Sequence, residues 1–326
     1  MSGTPGLRRA WRAPRSRWQA TPLGRFRPSA ASDLRVHLLL LGLMVLTLGT
    51  ALQRMVSYWQ VSEALPTDLL WPVAWARGLD WPTVAVRLTV AFTASAVAAT
   101  VGYRHRPLRL LLAVLVVVLV AALGSFGKIN HGLHHLLYAT VVVAFVPTLS
   151  PPTTGGDPSV PRRAYDVIAA AQGLVLLTYT LSGATKLLAG IAQLRAGEPS
   201  MFGSGSLGRL VADRMLQTGE TPPLATVLIE RPTFGAVLFG VTVLVELLAI
   251  AVLPFPRLAA VWAALLAGFH LAVFWAMHIN FSVSVAVLVL LFGLSPFLVP
   301  TEARGDPEGP GPAGSLPGSD HRPPTG

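Results

Sequence analysis

The chain has 326 residues, of which 52% are hydrophobic and 12% charged, with a net charge of +10. A soluble domain carries about 25% charged residues, so the composition excludes an ordinary soluble enzyme and points to a polytopic membrane protein. There is no cysteine, which excludes disulfide staples, thiol ligands and thiol nucleophiles.

The first 35 residues hold eight arginines against one acid, Asp33. No folded nucleic-acid motif surrounds them, so residues 1–33 are expected to be a disordered, topogenic cytoplasmic tail beside anionic lipid, and no nucleic-acid partner is expected. Arg8-Arg9 resembles a twin-arginine signal only weakly. The first apolar run starts at Leu34 and is about 20 residues long, which predicts a retained span rather than a cleaved leader.

Eight apolar spans are expected in chain order, at 34–53, 82–102, 107–126, 132–149, 164–190, 234–253, 257–278 and 281–299. With the N-terminus inside, the inner connections carry Arg104, Arg106 and Arg109, then Arg162 and Arg163, then Arg257. The connection 191–233 balances Arg195, Arg209, Arg214 and Arg231 against Glu198, Asp213, Glu220 and Glu230. That alternation predicts a multi-pass cell-membrane protein, an all-α helical bundle with both termini cytoplasmic. Residues 54–81, with Trp59, Trp71, Trp75 and Trp81, and 191–233, with the amphipathic "SLGRLVADRMLQ", are the long outer connections. The Pro/Gly-rich segment from 301 to 326 is expected to be disordered, which leaves 34–300 as the transmembrane module.

The polar residues gather toward one side of this topology. "GKINHGLHHLLYA" at 127–139 joins spans three and four, "YTLSGATKLLAG" ends span five, and "MHINF" joins spans seven and eight. Lys128 and Lys186 are the two lysines among 25 basic residues. A desolvated lysine can lose its proton near neutral pH, whereas arginine stays charged. On one continuous helix Lys128, His131, His135 and Tyr138 would share a face, with His134 pointing away. Gln172, Tyr179 and Lys186 repeat every seven residues and form a stripe expected to face the bundle interior.

At about 1.5 Å per residue, Lys186 falls about 6 Å below the outer end of its span, His270 about 12 Å and Glu246 about 18 Å. A direct Lys186–Glu246 ion pair is therefore expected to be strained, although Glu246 needs a partner or a proton. His131, His134, His135 and His278 offer metal-binding nitrogens, but no local carboxylate or HExxH motif accompanies them, and no metal is expected. No GxSxG elbow is present, and "GSGSLG" at 203–208 has no strand before it.

"INHGLHHLLYATVV", "YTLSGATKLLAG", "VTVLVELLAI" and "FHLAVFWAMHINF", in this order, resemble the transmembrane module of the vitamin K-dependent gamma-carboxylase-like superfamily, the HTTM domain. The resemblance covers about 34–300. It implies a membrane enzyme in which Lys186, His131, Asn130 and His270 are catalytic and Tyr179, Tyr138, Glu246, Lys128 and His278 line the cofactor site. It also implies a reduced, vitamin K-like quinone as cofactor. In the carboxylase a lysine deprotonates the hydroquinone, and the oxygenated product then removes a glutamate gamma proton. The outer connections here are far smaller than the carboxylase's lumenal domain. The expected function is thus action on a quinol-like lipid or an exported peptide from the extracytoplasmic side. Two alternatives stand beside it: a non-catalytic partner in maturing an exported protein, and a carrier for a small molecule or proton through Glu246 and His270.

Overall fold

The computed structural model describes residues 22–23, 25–61, 68–126, 131–151 and 159–299. Within them the chain is helical, with no strand. Most of both terminal tails, together with Lys128 and Asn130, lies outside the described residues.

The helices begin where the sequence carries start signals. In α1 (Ala30–Val61), Ser29 and Ser32 cap each other: Ser32 N donates to Ser29 Oγ at 3.2 Å and Ser29 N donates to Ser32 Oγ at 2.7 Å. Proline in the first turn opens α2 (Trp81–Val101) and α3 (Arg106–Gly124), and α4 (His134–Val143) and α5 (Arg162–Arg195) follow. Next come α6 (Ser206–Thr218), α7 (Ala225–Glu230), α8 (Pro232–Leu247), α9 (Pro256–Met277) and α10 (Ser282–Leu288). The first five pack in chain order, each on the next; α8 packs on α5, α9 on α10, and α10 returns to α4 and α1, which closes the bundle.

Five of these helices are long and apolar enough to cross a membrane: α1, α2, α3, α5 and α9. The other three expected spans are shorter. The segment at 132–149 yields only ten helical residues after a tight turn at His131–Leu133. The segment at 234–253 yields α8 and a tight turn, Ala249–Val252, ahead of Pro254. The segment at 281–299 yields α10, a wide turn at Val289–Gly293, and a stop at Pro296. Sixteen residues of helix reach about 24 Å, against a hydrocarbon core of about 30 Å. Apolar composition alone hides these breaks, because glycine and proline interrupt helices without lowering hydropathy much.

A single large core runs along α1–α5, α9 and α10, with Leu39, Leu43, Phe92, Leu112, Ile168, Val175, Leu266 and Leu291 among its buried residues. At one end Asp33 is buried and accepts from Tyr165 Oη, from Ser159 N and Oγ, and from Val160 N at 3.1 Å. Arg109, expected as a loop charge, is fully buried; its guanidinium donates to the carbonyls of Tyr103, Val146 and Pro147 and ties the α2–α3 turn to the end of α4.

At the other end α6 and α7 form a cap. Leu207, Val211, Ala225 and Leu228 pack on Ala276 and Met277 of α9. Leu224 N donates to Trp275 O at 3.1 Å. Left-handed backbone at Gly205 (φ 80°) and Gly219 (φ 70°) turns the chain into and out of α6. Phe202 rests directly on Gly190 of α5, where a β-carbon would leave it no room.

Candidate functional site

Lys186 and Glu246 form the first part of the site. Lys186 Nζ lies 2.6 Å from both Oε1 and Oε2 of Glu246. The Glu246 side chain is 3% exposed and that of Lys186 is 30% exposed. The two helices meet so closely because Gly183 offers no side chain: a β-carbon there would sit 2.6 Å from Leu247 N and 3.0 Å from Glu246 Cβ. The expected strain is absent. Helix α5 continues to Arg195, nine residues beyond Lys186, so the lysine sits about 14 Å below its helix end rather than about 6 Å. The lysine's own stem covers the remaining offset.

Tyr179 and His270 form the second part. Tyr179 Oη is 2.5 Å from His270 Nε2, and both residues are buried, at 3% and 5% exposure. Seven residues along α5 bring Tyr179 and Lys186 onto one stripe, as expected, and Gln172 continues it inward. Gln172 Nε2 donates to Leu291 O at 2.6 Å, in the wide turn, and to Ser295 Oγ at 3.0 Å. Phe269 links the two parts: Lys186 Nζ is 5.7 Å from its ring centroid, and its ring lies 5.1 Å from that of His270.

His135 forms the third part, and the candidate set drawn from the sequence omits it. Its ring stacks on Tyr179, with centroids 4.7 Å apart and planes 13° apart. Its Nδ1 is 2.9 Å from Ser284 Oγ. Phe281, the residue just before α10, covers His270, with centroids 4.7 Å apart.

Not every predicted residue joins this group. His131 and His134 pair with each other, Nδ1 to Nδ1 at 3.2 Å, and Tyr138 lies against His134. The expected His131–His135 face does not form, because the helix is not continuous. The turn at His131–Leu133 has about three residues per turn, which aligns 131 with 134 and sends His135 inward. His278 takes left-handed backbone (φ 52°) at the end of α9, and its Nδ1 lies 2.7 Å from Glu220 Oε2, on the cap and away from Lys186. Lys128 and Asn130 lie outside the described residues. Among the described residues, no three histidine, aspartate or glutamate side chains gather as a metal site.

Chemically, the group places a carboxylate, an amine, a phenol and two imidazoles from four helices within one aromatic-walled region. Comparison with protein-family models, with curated proteins and with solved structures gives no match.

Proposed function

We propose that this chain is an eight-span membrane protein with both termini cytoplasmic, whose Lys186–Glu246 and Tyr179–His270 pairs form an acid–base centre. Its substrate is a quinol-like lipid or an exported peptide, reached from the extracytoplasmic side. One observation carries this: Lys186 and Glu246 meet at 2.6 Å within an apolar bundle. A buried ion pair is not needed for a fold, since well-packed apolar residues of similar volume serve as well or better. Ionisable groups inside a membrane bundle therefore point to function.

The pair can also do the chemistry. Moving the shared proton to Glu246 leaves a neutral amine, a base, 2.6 Å from a carboxylic acid. The resemblance to the gamma-carboxylase-like module supports the same role for Lys186, and would make a reduced quinone its cofactor. His131 is exposed, with no described contact to Lys186; a catalytic part for it would be to position substrate at the rim.

The test is extraction of the purified, lipid-embedded chain followed by mass spectrometry. A quinone or peptide enriched with the wild type should be lost from Lys186→Ala and not restored by Lys186→Arg. Equal enrichment with a Lys186→Met, Glu246→Leu double variant would overturn the proposal.

A second possibility, a non-catalytic maturation partner, is favoured by the cap alone. Leu210 is exposed on α6 and Leu216 is 85% exposed, which suits contact with another chain or with lipid. A stoichiometric partner that still co-purifies with a Lys186→Ala, His131→Ala variant would support it.

A further inference from the structure

Helices α5 and α8 touch backbone to side chain at one level and are bridged by a third element at the next. At Gly183 a β-carbon would stand 2.6 Å from Leu247 N and 3.0 Å from Glu246 Cβ. Seven residues along each helix, about 10 Å toward the cap, the matching positions are Gly190 on α5 and Phe239 on α8. The ring of Phe202 meets both. It covers Gly190 so closely that a β-carbon there would run into its Cδ2 and Cε2 atoms. Its centroid lies 5.6 Å from that of Phe239. Lys186 is one turn below Gly190, and Glu246 is two turns below Phe239, so the ring sits directly on the cap side of the ion pair.

Gly190 marks this as a seat for the ring. Glycine inside a helix weakens it relative to alanine, and alanine at 190 would evict Phe202. The segment that carries the ring lies between two left-handed turns, Gly197 (φ 69°) and Gly205 (φ 80°). It holds α5 through Met201 N, which donates to Gln193 Oε1 at 2.8 Å, and through Ser200 Oγ, which donates to Gly190 O at 3.3 Å. Phe202 N and Gly203 N both donate back to Ser200, at 3.2 and 2.9 Å, so the turn carries bonds of its own that do not depend on α5.

We propose that Phe202 is a displaceable plug on a strap hinged at Gly197 and Gly205, and that it closes the cap-side approach to Lys186 and Glu246. The contact is autoinhibitory: the chain's own ring fills the seat, and a ligand coming from the cap has to displace it. Lys186 keeps 30% exposure with the ring seated, so seating narrows access and unseating widens it. The role of the strap rests on the acid–base centre proposed above. Phe202 touches neither member of the pair in forming its seat; it regulates who reaches them.

The experiment labels the full chain in lipid nanodiscs with a membrane-impermeant amine-reactive ester at mildly alkaline pH, read by mass spectrometry. Lys128, the other lysine of the chain, is the internal reference. Phe202→Ala and Gly190→Ala should each raise the Lys186-to-Lys128 labelling ratio by about tenfold, because labelling follows the open population. The double variant should rise no further, since both changes empty the same seat. Gly190→Ala removes no side chain from the bundle, which keeps the test alive if Phe202→Ala fails to fold. Val211→Ala, in the cap core on the α9 side, should leave the ratio unchanged. An unchanged ratio in either folded seat variant overturns the proposal, as does an equal rise in Val211→Ala, which would mean that general loosening of the cap exposes the lysine. Each of these results leaves the Lys186–Glu246 centre standing, because the extraction test reads that centre independently.

Discussion

Lys186 on α5 and Glu246 on α8, sixty positions apart, meet through both carboxylate oxygens at 2.6 Å. Breaking such a pair from one side leaves an uncompensated charge in an apolar setting. Lys186→Met, which strands the buried Glu246 carboxyl, should cost about 3–5 kcal/mol; Glu246→Leu should cost less, because Lys186 is 30% exposed and can turn outward, and the double variant should recover most of the larger loss. Thermal unfolding in lipid nanodiscs reads the cycle. Additive losses would mean that the two groups do not interact.

Gly183 sets how closely α5 and α8 approach. The backbone of Leu247 stands where an added methyl would go, and backbone cannot step aside as a side-chain tip can. Gly183→Ala should therefore destabilise by about 1–3 kcal/mol and loosen the ion pair. An amine-reactive reagent should label Lys186 faster in this variant than in the wild type. Wild-type stability and labelling would show that α8 can shift freely.

Arg109 is a structural clasp rather than a surface charge. Arg109→Met should orphan three carbonyls, at about 1–3 kcal/mol each. Arg109→Lys should rescue little of that, because an ammonium lacks the planar fork that reaches several acceptors at once. Melting temperatures of the two variants, compared with the wild type, decide this.

Asp80 supplies a pH-dependent element outside the spans. Its side chain accepts from Thr83 N at 3.0 Å and caps α2. Hydrogen bonds from Thr83, side chain first and backbone second, hold its carboxyl below the usual carboxylate range. A carboxyl lowered by folding stabilises above its unfolded pKa and loses that contribution as pH falls through the folded value. Asp80→Asn keeps a cap without titrating. Amide protection in the first turn of α2, taken relative to the intrinsic exchange rate at each pH, should therefore fall on acidification in the wild type and stay level in the variant.

The periodic features were legible in the residues. The seven-residue spacing of Gln172, Tyr179 and Lys186 gives one stripe, buried at Gln172 and Tyr179 and partly exposed at Lys186, and the prolines at 82, 107, 232 and 256 mark helix starts. Depth was not legible, because it depends on where a helix really ends. Hydropathy fades by residue 190, yet α5 runs on to Arg195, and that difference hid the Lys186–Glu246 contact. His135 was missed for a related reason. Its spacing from His131 suggests a shared face, and only the tight turn before α4 separates them. The burial of Arg109 had no sequence signal, since its partners are carbonyls.

At 34 residues, α5 is about 51 Å long, well beyond a hydrocarbon core of about 30 Å. Its far end carries Gly190 against Phe202, and Gln193 Oε1 accepts from Met201 N at 2.8 Å, so the segment leading into the cap grips it. Lower on the same rod stand Lys186, Tyr179 and Gln172. Because one unbroken helix carries both, the cap segment and the polar stripe of Gln172, Tyr179 and Lys186 are joined through a single element.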